Sequence, residues 1–118
     1  MKFYQFEEIL AWQKAQDLAV LIYKEFSSVK DFGYKNQIQN AVVSISNNIA
    51  EGFDRMSDKE FVRFLYISLG SCSEVKSMLY LGNRLNYLEE SISKMLIERA
   101  NEVARIIRGL IKSLSLKD

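Results

Sequence analysis

The chain has no histidine and no proline, and only one cysteine and five glycines among its 118 residues. Each shortage excludes something. Without His there is neither the commonest general base and proton shuttle nor the commonest metal ligand, so no His-based catalytic pair or metal centre can be assembled. A lone cysteine, Cys72, permits no intrachain disulfide and no Cys-rich zinc site, and a thiol-bearing chain without disulfides points to the reducing cytoplasm. The glycines are scattered singly, so there is no glycine-rich phosphate loop. Nothing in this composition implies a metal or a cofactor. At an average usage of about 5%, roughly six prolines would be expected. Pro interrupts helix interiors and sheet ladders alike, so a chain without it is free to be helical nearly throughout. Long hydrophobic runs are missing too. The longest apolar stretches, such as Leu18 to Tyr23, fall far short of a bilayer span. Glu7 and Glu8 stand where a signal peptide needs its apolar run. A cytoplasmic, membrane-independent protein is expected.

What is present is ordinary in amount and regular in arrangement. The hydrophobic fraction is 48% and the charged fraction 26%, enough for one domain with its own core. Sixteen Lys and Arg against fifteen Asp and Glu leave a net charge of +1, which gives no overall electrostatic case for nucleic acid or membrane.

Apolar residues recur at three- and four-residue steps in four segments, each giving one helix face. The first runs from about Glu8 to Ser27, with Trp12, Ala15, Ala19, Ile22 and Phe26 as its stripe and Leu18 and Tyr23 beside it. Ser27 to Gly33 reads as a turn. The second runs from about Tyr34 to Phe53, with Ile38, Ala41, Val42, Ile45 and Ile49 inward and Gly52 as its expected C-terminal stop. Ser57 followed by Glu60 is a capping box that opens the third. There Phe61, Phe64, Leu65, Cys72, Val75, Met78 and Leu79 keep helical spacing, and Gly70 implies close approach of another backbone. The fourth runs from Leu88 or Glu89 to about Leu114, with Ile92, Leu96, Val103, Ile107, Leu110 and Leu114 as its stripe. Short connections make neighbours antiparallel. The expected fold is all-α: a single-domain, up-down-up-down, antiparallel four-helix bundle over residues 1–118.

Candidate sites are few. The adjacent carboxylates Glu7 and Glu8, and Glu89 and Glu90, diverge by about 100° on a helix and do not form a working pair. A di-iron bundle would need Glu-x-x-His motifs. Cys72 reads as a buried structural thiol and Trp12 as a packing residue. Gln37, Ser44, Asn48 and Glu51 lie along one edge of the second segment's apolar face. This polar seam is either an internal hydrogen-bond network or a subunit interface or ligand groove, because buried polar groups need partners. Arg105, Arg108 and Lys112 share a face of the fourth segment that is either solvated or in contact with phosphates. With Arg99, and with Lys35 and Arg55 added, they are the candidate nucleic-acid contacts. No residue is a candidate for catalysis, and an enzyme is not expected.

Several of these residues together resemble a known family. The resemblance is carried by Trp12-Gln13-Lys14-Ala15; by Gln37-Ile38, Ala41, Ser44-Ile45 and Asn48-Ile49-Ala50-Glu51-Gly52; and by Arg55, Ser57, Lys59-Glu60-Phe61, Phe64-Leu65, Ile67, Gly70-Ser71 and Glu74. They are similar to the four-helix bundle proteins encoded in intervening sequences of bacterial 23S rRNA genes. That resemblance implies an antiparallel bundle assembled into a ring-shaped homopentamer, with no enzymatic activity. A related branch, the accessory variability proteins of diversity-generating retroelements, binds nucleic acid and a reverse transcriptase. The chain departs from the pattern where many members carry two Arg after the Gln-Ile pair: here Gln39 and Asn40 stand instead. A Pro common in the first loop is replaced by Val29-Lys30. The function expected is that of a non-enzymatic oligomeric interaction protein, with a nucleic-acid-binding accessory protein as the alternative.

Overall fold

The computed structural model describes residues 3–115. A short 3-10 turn, Phe6–Glu8, precedes four α-helices: α1 (Leu10–Glu25), α2 (Phe32–Phe53), α3 (Asp58–Arg84) and α4 (Glu90–Ser115). Among the described residues there is no strand. Each helix packs against its neighbours in chain order, α1 closes the ring against α4, and among the described residues the backbones of diagonal pairs stay apart. That is the connectivity of an up-down-up-down bundle. The molecule measures 46 × 20 × 19 Å. A 27-residue helix such as α3 is roughly 40 Å long, so it runs nearly the full length.

The apolar stripes of α2, α3 and α4 are buried as the spacing predicts. The α1 stripe is rotated. Ala11, Ala15, Leu18 and Ile22 are its buried residues, Trp12 and Ala19 sit at the margin of the core, and Tyr23 is 46% exposed. Leu18, expected at the edge, is central because Ala11, Ala15, Leu18 and Ile22 follow one another at steps of four, three and four residues. Trp12 packs edge-to-face on Phe6 instead, with centroids 5.3 Å apart. This stacks the 3-10 turn against the start of α1.

Helix ends differ from expectation in informative ways. Ser57 caps α3, its Oγ accepting from the Glu60 N–H at 3.1 Å. The Glu60 carboxylate does not complete the box; it pairs with Arg63 at 3.2 Å. Gly52 is not a stop. It lies inside the last turn of α2, buried, and a Cβ there would collide with the Phe64 side chain of α3. The chain leaves α2 through Asp54 and turns at Met56, whose φ is 65°. Gly70 also differs: no atom approaches the position of its missing Cβ, so packing within the chain gives it no role. The close approaches are at Gly52 and at Gly82, where the Tyr34 phenol occupies the space.

At the far end of α3, Asn86 adopts a φ of 59°. The Tyr87 N–H reaches the Gly82 carbonyl at 2.9 Å and the Asn86 N–H reaches that of Asn83 at 3.1 Å, which together make a Schellman motif. The same end is tied across. Asp31 caps α2 by accepting from the Tyr34 N–H at 3.1 Å, and its other oxygen accepts from the Tyr87 hydroxyl at 2.6 Å. The Tyr34 hydroxyl donates to the Met78 carbonyl, and its ring meets Tyr87 and Phe26. One carboxylate and two phenols thus bind the α1–α2 and α3–α4 loops to each other.

Two outcomes follow. Gly52→Ala should destabilise the bundle by about 1–3 kcal/mol, the range for overpacking a filled site, which is read from the shift in a chemical denaturation midpoint. The hydrogen bonds from Tyr87 and from the Tyr34 backbone hold the Asp31 carboxyl below its ordinary value. A carboxyl depressed in the folded state contributes stability that is present above its unfolded value and is lost as pH falls through the folded one. Tyr87→Phe should therefore destabilise the protein near neutral pH and reduce the loss of stability below about pH 4; denaturation midpoints measured from pH 7 to pH 2 test this.

Candidate interaction surfaces

The polar seam of α2 divides between the bundle and solvent. Ser44, half-buried, donates to the Ala41 carbonyl at 2.9 Å and meets the Ser71 hydroxyl of α3 at 2.5 Å. Asn48, also half-buried, donates to the Ser44 carbonyl at 2.8 Å. The Ser44–Ser71 contact ties α2 to α3, while the Asn48 bond stays within α2. Ser68 extends the tie: fully buried, it donates to the Ile45 carbonyl at 2.9 Å. Gln37 and Glu51 are exposed, and Glu51 pairs with Arg55 at 3.2 Å, one turn along. On the other flank of α2, Gln16 of α1 donates to the buried Ser46 hydroxyl at 3.0 Å.

The basic candidates do not form one cluster. Lys35 points at a loop, its ammonium 3.2 and 3.4 Å from the carbonyls of Ser27 and Val29 and 5.5 Å from the Phe32 ring centroid. Arg55 lies over the Phe64 ring, 5.0 Å from its centroid, as well as beside Glu51. Arg99 is exposed, but it stands about half a turn around α4 from Arg108 at 100° per residue. Arg105, Arg108 and Lys112 do share one exposed face. Among the described residues no carboxylate lies within 4 Å of their charged groups.

Sequence reading missed what stands opposite that face. Tyr66 of α3, 60% exposed, lines a cleft of about 360 Å³ with Leu69, Arg108, Ile111 and Lys112. A smaller depression of about 70 Å³ continues past Arg108 between Ser73, Lys76 and Asn101. The sequence signal for Tyr66 was an aromatic one turn from the α3 core stripe; its basic neighbours come from another helix. The outer face of α3 was missed as well. Ile67, Leu81 and Leu85 are exposed at 43%, 45% and 44%, and Gly70 lies open between the first two.

Cys72 is buried, and burial pushes its thiol up to about 12, with Arg108 opposing weakly. A thiol held so far from ionisation is a poor nucleophile. No group of three or more Cys, Asp or Glu residues that could hold a metal occurs among the described residues. No helix there is long and apolar enough to cross a membrane.

The features that distinguish this molecule are therefore helix faces and shallow grooves on a four-helix bundle. The family model for the 23S rRNA-intervening sequence protein matches residues 7–109, and the chain belongs to that family. It is also similar to a solved structure, a protein of unknown function from the S23 ribosomal protein family of Bacteroides thetaiotaomicron VPI-5482. Identity is 24% over 87% of this chain and 99% of that one, with a TM-score of 0.82; at that identity the likeness concerns the fold. No curated protein matches the chain.

Cys72 should resist Ellman's reagent in the native protein at pH 8 and react fully in guanidinium chloride. Rapid native labelling would show that the thiol is reached by local opening of α3 and α4.

Proposed function

We propose that the protein is a non-enzymatic, homo-oligomeric interaction protein that uses the outer face of α3 as one of its subunit contacts. The observation that carries this reading is the open Gly70. A glycine inside a helix costs about 1 kcal/mol relative to Ala, and within the monomer nothing occupies the space it leaves. Ile67 lies one turn from it and Leu81 about 16 Å further along the same side of α3; both are exposed aliphatic side chains, and Gln37 and Glu51 border that side from α2. A closed ring uses two different faces on each subunit. The second is supplied by α1, diagonally opposite, where Val20 and Tyr23 are 66% and 46% exposed. Five subunits is the number that the family resemblance implies. Light scattering should give a mass near five protomers at micromolar concentration. Ile67→Asp combined with Leu81→Asp should reduce it to that of a monomer while the helical circular dichroism persists. A parent protein that is already monomeric refutes the proposal.

A second reading, nucleic-acid binding, is favoured by the Arg105, Arg108 and Lys112 face of α4, whose charges have no carboxylate within 4 Å among the described residues. Cations without carboxylate partners remain available to phosphate oxygens. In a ring the face would repeat on every subunit, so weak contacts would add through multivalency.

A further inference from the structure

We infer that the groove between α3 and α4 binds single-stranded nucleic acid, with Arg108 and Lys112 holding phosphates and Tyr66 stacking on a base. The inference rests on the second reading above and narrows it to one groove and one form of polynucleotide.

Three adjoining depressions make the groove. The central cleft holds Tyr66, Arg108 and Lys112. Arg108 is shared with the depression lined by Ser73, Lys76 and Asn101. Ser115 is shared with a third, of about 360 Å³, lined by Asp58, Lys59 and Val62. From Lys59 to Lys76 the track is roughly 25 Å long at the rise of an α-helix. Its lining carries four cations, Lys59, Lys76, Arg108 and Lys112, against one anion, Asp58. Glu98, two turns before Arg105, and Glu74, on the outer side of α3, are not among the lining residues. Thus a chain whose net charge is only +1 places a local positive excess along one groove.

Charge alone would suit any polyanion. Tyr66 decides between forms. It is 60% exposed, flanked by the apolar Leu69 and Ile111 and by two cations. An aromatic face interleaved with cations is the arrangement that stacks unpaired bases while tracking their backbone. A duplex buries its base faces in its own stack and offers such a ring nothing but phosphates. Tyr80, 53% exposed, lies one turn beyond Lys76 and about 21 Å along the helix from Tyr66, on the same side of α3. Tyr66 and Tyr80 lie toward α4 from Ile67 and Leu81, but Gly70 is one turn from Tyr66 on nearly the same face, so a subunit packed on the outer face would border the groove at Tyr66.

Fluorescence anisotropy on the intact oligomer tests the inference, using labelled oligouridylate, oligothymidylate and a duplex of equal length at low salt. Both single strands should bind about tenfold more tightly than the duplex. They should agree with each other within about threefold, because neither phosphates nor base faces report the 2′-hydroxyl. The salt dependence should have a log–log slope of about −1.4 for the two phosphates held by Arg108 and Lys112 on a single strand. Tyr66→Ala should weaken binding at least about fivefold, whereas Tyr66→Phe should preserve it. Arg108→Ala with Lys112→Ala should weaken it and flatten the slope, and Arg99→Ala should change nothing. Duplex binding as tight as the single strands, or parental affinity in Tyr66→Ala, overturns the groove assignment and leaves the broader nucleic-acid reading standing. Displacement of the strand by polyglutamate of equal charge assigns the groove to acidic peptides and overturns the inference. Failure of every polynucleotide to bind at low salt overturns both readings.

Discussion

Close contact between α2 and α3 is the constraint on which the other features rest. Gly52 removes a side chain so that Phe64 can lie against the α2 backbone. Further along, Ser68 donates into the α2 carbonyl at Ile45, and Ser44 and Ser71 meet hydroxyl to hydroxyl. A buried hydroxyl without a partner is destabilising, so each of these bonds fixes the register as well as the distance of the two helices. With that pair set, α1 and α4 complete the square. The direction in which α3 presents its outer residues is then determined: Ile67 and Leu81 outward, Tyr66 and Lys76 toward α4. Both surfaces discussed above depend on this rotational setting of one helix.

How much of this could be read in the sequence follows from the range of the interactions involved. Four stripes at helical spacing and the Ser57 cap are local, and they were legible as four helices with nearly correct limits. The same locality allowed the seam of Gln37, Ser44, Asn48 and Glu51 to be recognised as a unit on one helix edge. It could not say that Ser44 and Asn48 turn to the bundle while Gln37 and Glu51 do not, because that depends on where α3 lies. Gly52 illustrates the same limit. A glycine near a helix end has two common causes, a left-handed stop and a close crossing, and only the position of Phe64 separates them. The Asp31 cap was within reach of sequence reading, since an Asp before an amphipathic run is a start signal; the bond from Tyr87 was not, being 56 residues away. Of the basic candidates, Arg105, Arg108 and Lys112 were grouped correctly by periodicity. Lys35 and Arg55 were placed with them by charge alone, and the structure finds each occupied with carbonyls, a carboxylate or a ring.

Family membership and composition fit together physically. A bundle with no Pro and no intrachain disulfide must obtain its uniqueness from side-chain packing and a few directed hydrogen bonds. Here those bonds are hydroxyl-based, from Ser44, Ser68, Tyr34 and Tyr87. They hold their geometry over a wide pH range because the donors stay neutral. Asp31 is the exception, and it sits at the exposed end of the clasp.

That clasp makes the two ends of the bundle unequal in time as well as in shape. The end with Asp31, Tyr34 and Tyr87 is closed by both of its loops and by aromatic contacts. Among the described residues the opposite end is closed by the turn at Met56, which is 90% exposed, and by the 3-10 turn stacked on Trp12, over a cleft lined by Phe3, Phe53 and Leu114. Local opening draws on regions with few buried contacts, so amide hydrogens at the C-terminal turns of α2 and α4 should exchange with solvent long before those around Tyr34. Such an ordering would make the molecule a clothes-peg, hinged at the tyrosines and breathing at its jaws.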